Sequence, residues 1–322
     1  MARHKVAITT ATFASPAEPP HQQLLAADLE VAVNPFGRKL TELESREFLQ
    51  DAVGVIAGTS PLSASVLAGT PDLRVISRCG VGIDNVDLDA ARQAGVSVYI
   101  APGALPQSVA ELTVGLMIDV LRRVSEADHQ LRAGTWAPLM GRLLGGKTVG
   151  IVGLGRVGRR LAPLLHAFGC DLVACDPLPP TVEFLDAHGV RLSSLDSLLS
   201  ESDIVTLHIP YTLDLHHLLD ERRLGLMRPD SLLINTARGE LVDEEALVAA
   251  LDSGRLAGAA CDTFHQEPYG GPLLNARNCV LTCHMGSYAV ECRLAMEQEA
   301  VDNLLRGLAA AGVSPGPMAT TT

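Results

Sequence analysis

The 322-residue chain has no excess of basic charge, no cysteine framework and no apolar run long enough to cross a bilayer. Lys and Arg number 25 against 37 Asp and Glu, a formal net charge of −12. A nucleic-acid binder needs a basic footprint to displace counterions, so nucleic acid is excluded as a partner. The balance leaves an anionic metabolite open, because charge local to a site can oppose the global charge. Seven cysteines are an odd number, and Cys175 and Cys261 fall inside strand-like runs. The expectation is reduced, buried thiols in a cytoplasmic protein rather than disulfides. Cys279, Cys283 and His284 lie close together in the chain, but no CxxC pair completes a tetrahedral set, so no metal is expected. No apolar run reaches the ~18 residues of a membrane span, so no membrane partner is expected. The start, Arg3 to Thr10, lacks the long apolar region of a signal peptide and reads as a first strand.

What is present is a soluble composition, 47% hydrophobic and 19% charged, and enough chain for two cores. Its most specific feature is a buried run from Thr148 to Val152 followed by Gly153, Gly155 and Gly158. The next apolar run, Leu172–Cys175, ends on Asp176. This is a strand, a glycine turn, a helix start and a second strand tipped with a carboxylate. Gly153 permits the tight turn, Gly155 lets backbone N–H groups approach a pyrophosphate, and Gly158 lets the helix pack close to the strand. The acid follows at about the 20-residue spacing of a group that binds ribose hydroxyls. An Asp there favours NAD over NADP, whose 2′-phosphate would meet a like charge.

Short apolar runs precede this turn at Val6–Ile8, Val31–Val33, Val53–Ala57, Val75–Ser77 and Val96–Ile100, with helix-compatible stretches between them. Alternation at this spacing predicts a small parallel sheet with helices on both faces. Pro102 and Gly103 break the pattern. Ser108 and Glu111 then read as a capping box, opening a helix with apolar positions at Val109, Leu112, Leu116, Val120 and Val124. After Asp176, strand-like runs recur at Asp203–His208, Ser231–Asn235, Ala257–Cys261 and Val280–Thr282. The chain turns helical again over Glu291–Leu308, and the small, polar tail Ser314–Thr322 is expected to be disordered. The fold class predicted is α/β, with two doubly wound, Rossmann-like parallel sheets and the nucleotide-binding domain inserted in the substrate domain. The expected boundaries are 1–101 for the first part of the substrate domain, 102–287 for the NAD-binding domain, and 288–322 for the return helix and tail. Ligands of such folds bind beyond the carboxyl ends of the strands, so a cleft there is where chemistry is expected.

Three charged side chains lie just past strands of the nucleotide domain. Arg238 can hold a carboxylate in a bidentate fork and polarise the neighbouring carbonyl. Glu267 precedes Pro268, which favours an extended or turn conformation. His284 follows a strand. Together they suit reversible ketone reduction: the histidine moves the proton, the glutamate orients it and favours its charged form, and the arginine holds the acid.

At these residues the chain resembles the D-isomer-specific 2-hydroxyacid dehydrogenase family, close to its phosphoglycerate-dehydrogenase-like branch. The resemblance runs from about Gly54 to about Glu291 and rests on five motifs. They are Ser77 to Asp87, the Gly153–Gly158 turn, Ile234 to Gly239, Glu267–Pro268, and His284 to Gly286. It implies that Arg238 binds the substrate carboxylate and carbonyl, that His284 is the acid/base and that Glu267 tunes it. Backbone N–H groups at Val81 and Gly82 would contact the carboxylate. The cofactor NAD would lie against Gly153, Gly155, Arg156, Val157, Gly158, Asp176, His208, Pro210, Thr236, Ala237, Asp262, His284 and Gly286. The region containing the Ser108 helix and Trp136 forms a two-fold interface in the family, which implies a homodimer. Two departures stand out: Cys283 replaces the common proline before the histidine, and the loop at Thr59–Pro61 lacks the arginines of phosphoglycerate-specific members. The function implied is NAD-dependent interconversion of a small 2-oxo acid and its D-2-hydroxy acid. Two alternatives stay open at this point: the same scaffold acting on phosphite, a phosphonate or another anion, and an NAD-sensing, corepressor-like binding protein.

Overall fold

Short strands separated by helices begin at the N-terminus. In order they are β1 (Lys5–Ile8), α1 (Pro19–Ala26), β2 (Glu30–Val33), α2 (Glu42–Phe48), β3 (Ala52–Ala57), α3 (Ala64–Ala68), β4 (Val75–Arg78), α4 (Leu88–Gln93) and β5 (Ser97–Ile100). The structure is a computed structural model and describes residues 3–102 and 105–313. Gly103 and the tail Ser314–Thr322 lie outside the described residues. The five strands form one parallel sheet in the order β2-β1-β3-β4-β5. Both faces are covered, so β3 reads as an unbroken apolar run rather than an alternating one, and all four residues of β4 are buried, Ser77 and Arg78 included. Val6, Ile8, Ile56 and Val75 fill one face, and Ala7, Val55 and Ile76 the other.

Next come α5 (Leu105–Arg122), α6 (Val124–Arg132), β6 (Thr148–Val152), α7 (Arg156–Ala167), β7 (Asp171–Cys175), α8 (Val182–Ala187) and β8 (Val190–Leu192). They are followed by α9 (Leu195–Glu201), β9 (Ile204–Leu207), α10 (Glu221–Leu226), β10 (Leu232–Asn235), α11 (Glu244–Asp252), β11 (Gly258–Cys261) and β12 (Cys279–Leu281). The seven strands form a second parallel sheet in the order β12-β11-β10-β9-β6-β7-β8. The strand order reverses between β6 and β9, which makes their carboxyl ends the switch point of a doubly wound sheet. Strand β8, three residues long, is too short to have declared itself by periodicity. A last helix, α12 (Val290–Ala310), packs back on β3, β4 and β5 through Met296, Ala300, Leu304 and Leu308. The chain thus divides into two compact units, Met1–Leu105 with Ala289–Thr322, and Pro106–Tyr288.

Two local expectations are corrected. Ser108 does not cap a helix, because α5 already starts at Leu105, with Pro106 in its first turn where a missing N–H costs nothing. The Ser108 hydroxyl instead donates to the Gly286 carbonyl at 2.7 Å. A genuine capping box forms at α2, where Thr41 accepts from Glu44 N and Glu44 accepts from Thr41 N. Val124 does not continue the apolar stripe of α5 either. Arg123 takes a left-handed conformation (φ 55°), the helix direction changes, and Val124 opens α6 with 52% of its surface exposed.

Candidate active site

All the nucleotide-turn, Arg238, Glu267 and His284 positions lie on one edge of the second unit, at the carboxyl ends of its strands. Gly153 follows β6, Asp176 follows β7 and His208 follows β9. Arg238, Glu267 and His284 follow the adjacent strands β10, β11 and β12.

The turn after β6 is built for close approach. Gly153 adopts φ 100°, and a Cβ there would lie 2.6 Å from the His208 carbonyl oxygen. At Gly158 a Cβ would sit 2.1 Å from the Gly153 oxygen, so the first turn of α7 presses on the strand end. Gly155, the N-cap, is exposed, has open space where a Cβ would be, and gives α7 no side-chain cap. The first N–H groups of a 12-residue helix thus face outward at its positive end. Arg156 is exposed and Val157 half-buried at this helix start. Asp176 accepts from Leu154 N at 2.6 Å and from Leu178 N at 2.7 Å, which ties the carboxylate to the glycine turn. A cradle that no Cβ could share, an uncapped helix start and a tethered carboxylate fit a dinucleotide. His208 shares a hydrogen bond of 2.9 Å with the Thr206 hydroxyl, and burial pushes its imidazole down to about 3, so the ring is neutral at neutral pH. Pro210, two residues on, is exposed.

The other half of the edge carries the reactive side chains. Asn235, 1% exposed, staples the turn after β10: its amide donates to the Arg238 carbonyl at 2.8 Å and its oxygen accepts from Ala237 N at 3.1 Å. Thr236 is braced from α5 by a 3.1 Å hydrogen bond between its hydroxyl and that of Thr113. Arg238 is half-buried, and its Nη1 donates to the Ala237 carbonyl at 2.7 Å.

His284 has a left-handed backbone (φ 53°), a conformation that costs a non-glycine residue about 1–2 kcal/mol. The loop that imposes it is held by Asp262, 1% exposed. Oδ1 accepts from the Thr282 hydroxyl at 2.6 Å and Met285 N at 2.8 Å, and Oδ2 accepts from Gly286 N at 2.9 Å. The Asp262 carbonyl also accepts from His284 N at 2.7 Å. Asp262, expected from the resemblance to contact the cofactor, is therefore first of all the clamp of the histidine loop. The His284 Nδ1 lies 2.9 and 3.0 Å from the two oxygens of Glu267. With Glu267 ionised, Nδ1 carries the proton and Nε2 is left to exchange one. The Glu267–Pro268 bond is cis, and Cys283, beside the histidine, is exposed. Val81 and Gly82 sit in the first unit, on the loop after β4, with Val81 37% exposed. Sequence reasoning missed the bracing hydroxyls of Ser108 and Thr113, whose partners are more than 100 residues away. Among the described residues, no cluster of His, Cys, Asp and Glu could hold a metal, and no helix is long and apolar enough to cross a membrane.

Residues 114–286 match the family model described as D-isomer specific 2-hydroxyacid dehydrogenase, NAD binding domain. A glyoxylate reductase from Thermofilum pendens is 42% identical over 263 residues, spanning 77% of this chain and 75% of that protein. A D-3-phosphoglycerate dehydrogenase from Methanocaldococcus jannaschii is 36% identical over 298 residues, 90% of this chain and 57% of that protein. A protein of known structure from Thermus thermophilus has a TM-score of 0.85 at 37% identity, covering 97% of this chain and 98% of that one. Fold and turn together define an α/β protein with an NAD-binding domain. The chain belongs to the D-isomer specific 2-hydroxyacid dehydrogenase family.

Proposed function

We propose that this protein interconverts a small 2-oxo acid and its D-2-hydroxy acid with NAD as the redox partner. The observation that carries the reading is the Glu267–His284 pair, with Nδ1 held at 2.9 Å, on strand ends neighbouring that of Arg238. Nicotinamide, when bound, supplies or accepts the hydride at the substrate carbon. Arg238 binds the substrate carboxylate through its planar fork and draws electron density from the adjacent carbonyl. His284 Nε2 gives a proton to the carbonyl oxygen in reduction and takes it back in oxidation. Glu267, accepting from Nδ1–H, orients the ring and supports its charge while the proton is in transit.

Relatives named glyoxylate reductase and hydroxypyruvate reductase support a small substrate. So does the loop at Thr59–Pro61, which carries no arginine; its Ser60 is buried and taken up by Leu40 N at 3.1 Å. The test is a panel of 2-oxo acids with NADH, read by nicotinamide absorbance, with phosphite and phosphonates run with NAD in the opposite direction. Turnover of glyoxylate, hydroxypyruvate or pyruvate is expected. Turnover confined to the phosphorus oxyanions, or none at all, would overturn the reading.

Asp176 is assigned to the ribose hydroxyls, and wild-type enzyme should prefer NAD. Asp176→Asn keeps an acceptor for Leu154 N but removes the charge that repels a 2′-phosphate. The NAD/NADP ratio of kcat/KM should then narrow by about tenfold or more. An unchanged ratio would show that specificity lies elsewhere.

A homodimer is the proposed assembly. Helix α6 has no buried residue, and the following arm exposes Trp136 (88%), Met140 (91%) and Leu143 (73%). Beside it lies a groove of about 930 Å³ lined in part by Val120, Leu121, Met140, Val280 and Leu281. Apolar surface gathered in this way marks an interaction site. Light scattering at micromolar concentration should give the mass of two chains, and a single-chain mass would refute it. The seven free cysteines support a reducing, cytoplasmic setting.

A further inference from the structure

We propose that Glu244 and Tyr269 are positioning residues for the acid/base pair, clamping both ends of the short loop that carries Glu267. The proposal rests on reading His284 as the acid/base. One carboxylate makes the clamp. Glu244 Oε1 accepts from His265 N at 3.2 Å, and Oε2 accepts from the Tyr269 hydroxyl at 2.8 Å. These anchors lie two residues before and two residues after Glu267. The tyrosine hydroxyl is used twice, since it also accepts from Leu273 N at 3.0 Å. Burial pushes the phenol up, and the Glu244 carboxylate adds in the same direction, so the hydroxyl remains a donor.

The anchor itself is rigid. Glu244 lies in the first turn of α11, capped by Asp243 through Ala246 N at 3.1 Å and fixed to the core by Leu247 and Leu251. A negative charge there also suits the positive end of the helix. Within the loop, the Phe264 ring stacks on Tyr269 at 4.0 Å, and Phe264 N donates to Glu267 Oε1 at 3.2 Å. The turn of the substrate-binding arginine presses on the same loop, since a Cβ on Gly239 would lie 2.0 Å from the Phe264 carbonyl carbon. Glu267 has few ways to reach His284 other than the observed one while this loop is held. Catalytic geometry tolerates little slack, and a misplacement near 1 Å can cost about 10²-fold.

Tyr269→Phe separates positioning from packing, because the ring stack survives and only the hydroxyl is lost. Glu244→Gln keeps one acceptor oxygen, and Glu244→Ala keeps none, so the effects should be graded in that order. With Tyr269→Phe we expect native folding, unchanged NADH affinity by fluorescence, kcat lower by about tenfold and a larger solvent isotope effect as proton transfer becomes limiting. A readout that needs no substrate is the downfield proton resonance of His284 Nδ1, assigned by its absence in His284→Ala. It should broaden through faster exchange with water in Tyr269→Phe and more so in Glu244→Ala. Folded variants with wild-type resonance and isotope effect would overturn the clamp. If wild-type enzyme turns over no 2-oxo acid, the functional reading fails, yet the resonance still decides whether Glu244 and Tyr269 hold the pair.

Discussion

Replacing His284 by Ala should lower kcat by about 10²–10⁴-fold, the range for loss of a positioned general acid/base, with little change in NADH affinity. The structure allows a clean test. The backbone of the histidine loop is held by Asp262 through Met285 N and Gly286 N, and by the bond from His284 N to the Asp262 carbonyl. None of these bonds involves the imidazole. Ala at this left-handed position inherits a strain the loop already imposes on His, so the variant should fold. Circular dichroism checks the fold, fluorescence titration checks NADH binding, and absorbance gives kcat. An unchanged kcat in folded His284→Ala would mean that the proton comes from another group, and the mechanism would fall.

Arg238→Ala should lower kcat/KM for the 2-oxo acid by about 10²–10³-fold, mostly through KM, because a carboxylate then loses its charged, bidentate partner. Here too the backbone has independent support, from the Asn235 side chain on both sides of the turn. Arg238→Lys separates charge from geometry. A lysine restores a point charge but not the planar fork, so it should recover only part of the loss. Equal KM values in wild type and Arg238→Ala, with both proteins folded, would assign substrate binding to other residues.

The parts of this molecule that were legible in the sequence share a physical cause. Runs such as Ile204–Leu207 and Leu232–Asn235 are buried on both faces of a parallel sheet, so they had to be largely apolar and short. The spacing of Gly153 and Gly158 is equally direct, because backbone packed at about 2–3 Å from where a Cβ would be tolerates nothing larger. Local pattern failed where a distant partner competed. Ser108 and Glu111 have the letters of a capping box, but Gly286, 178 residues away, takes the hydroxyl. Asp262 was legible as an acid at a strand end, yet its hold on the histidine loop depends on β12 running beside β11.

The sequence by itself determined the α/β alternation, the dinucleotide turn with its acid, and the identity of the three strand-end side chains. It did so because strand burial and close glycine packing restrict residue type at each position separately. Only the tertiary structure decided that Glu267 meets His284 across 17 residues of chain, and that Glu244 and Tyr269 hold the loop that carries Glu267. Those contacts depend on sheet order, helix placement and turn geometry together, and no single stretch of sequence carries that information.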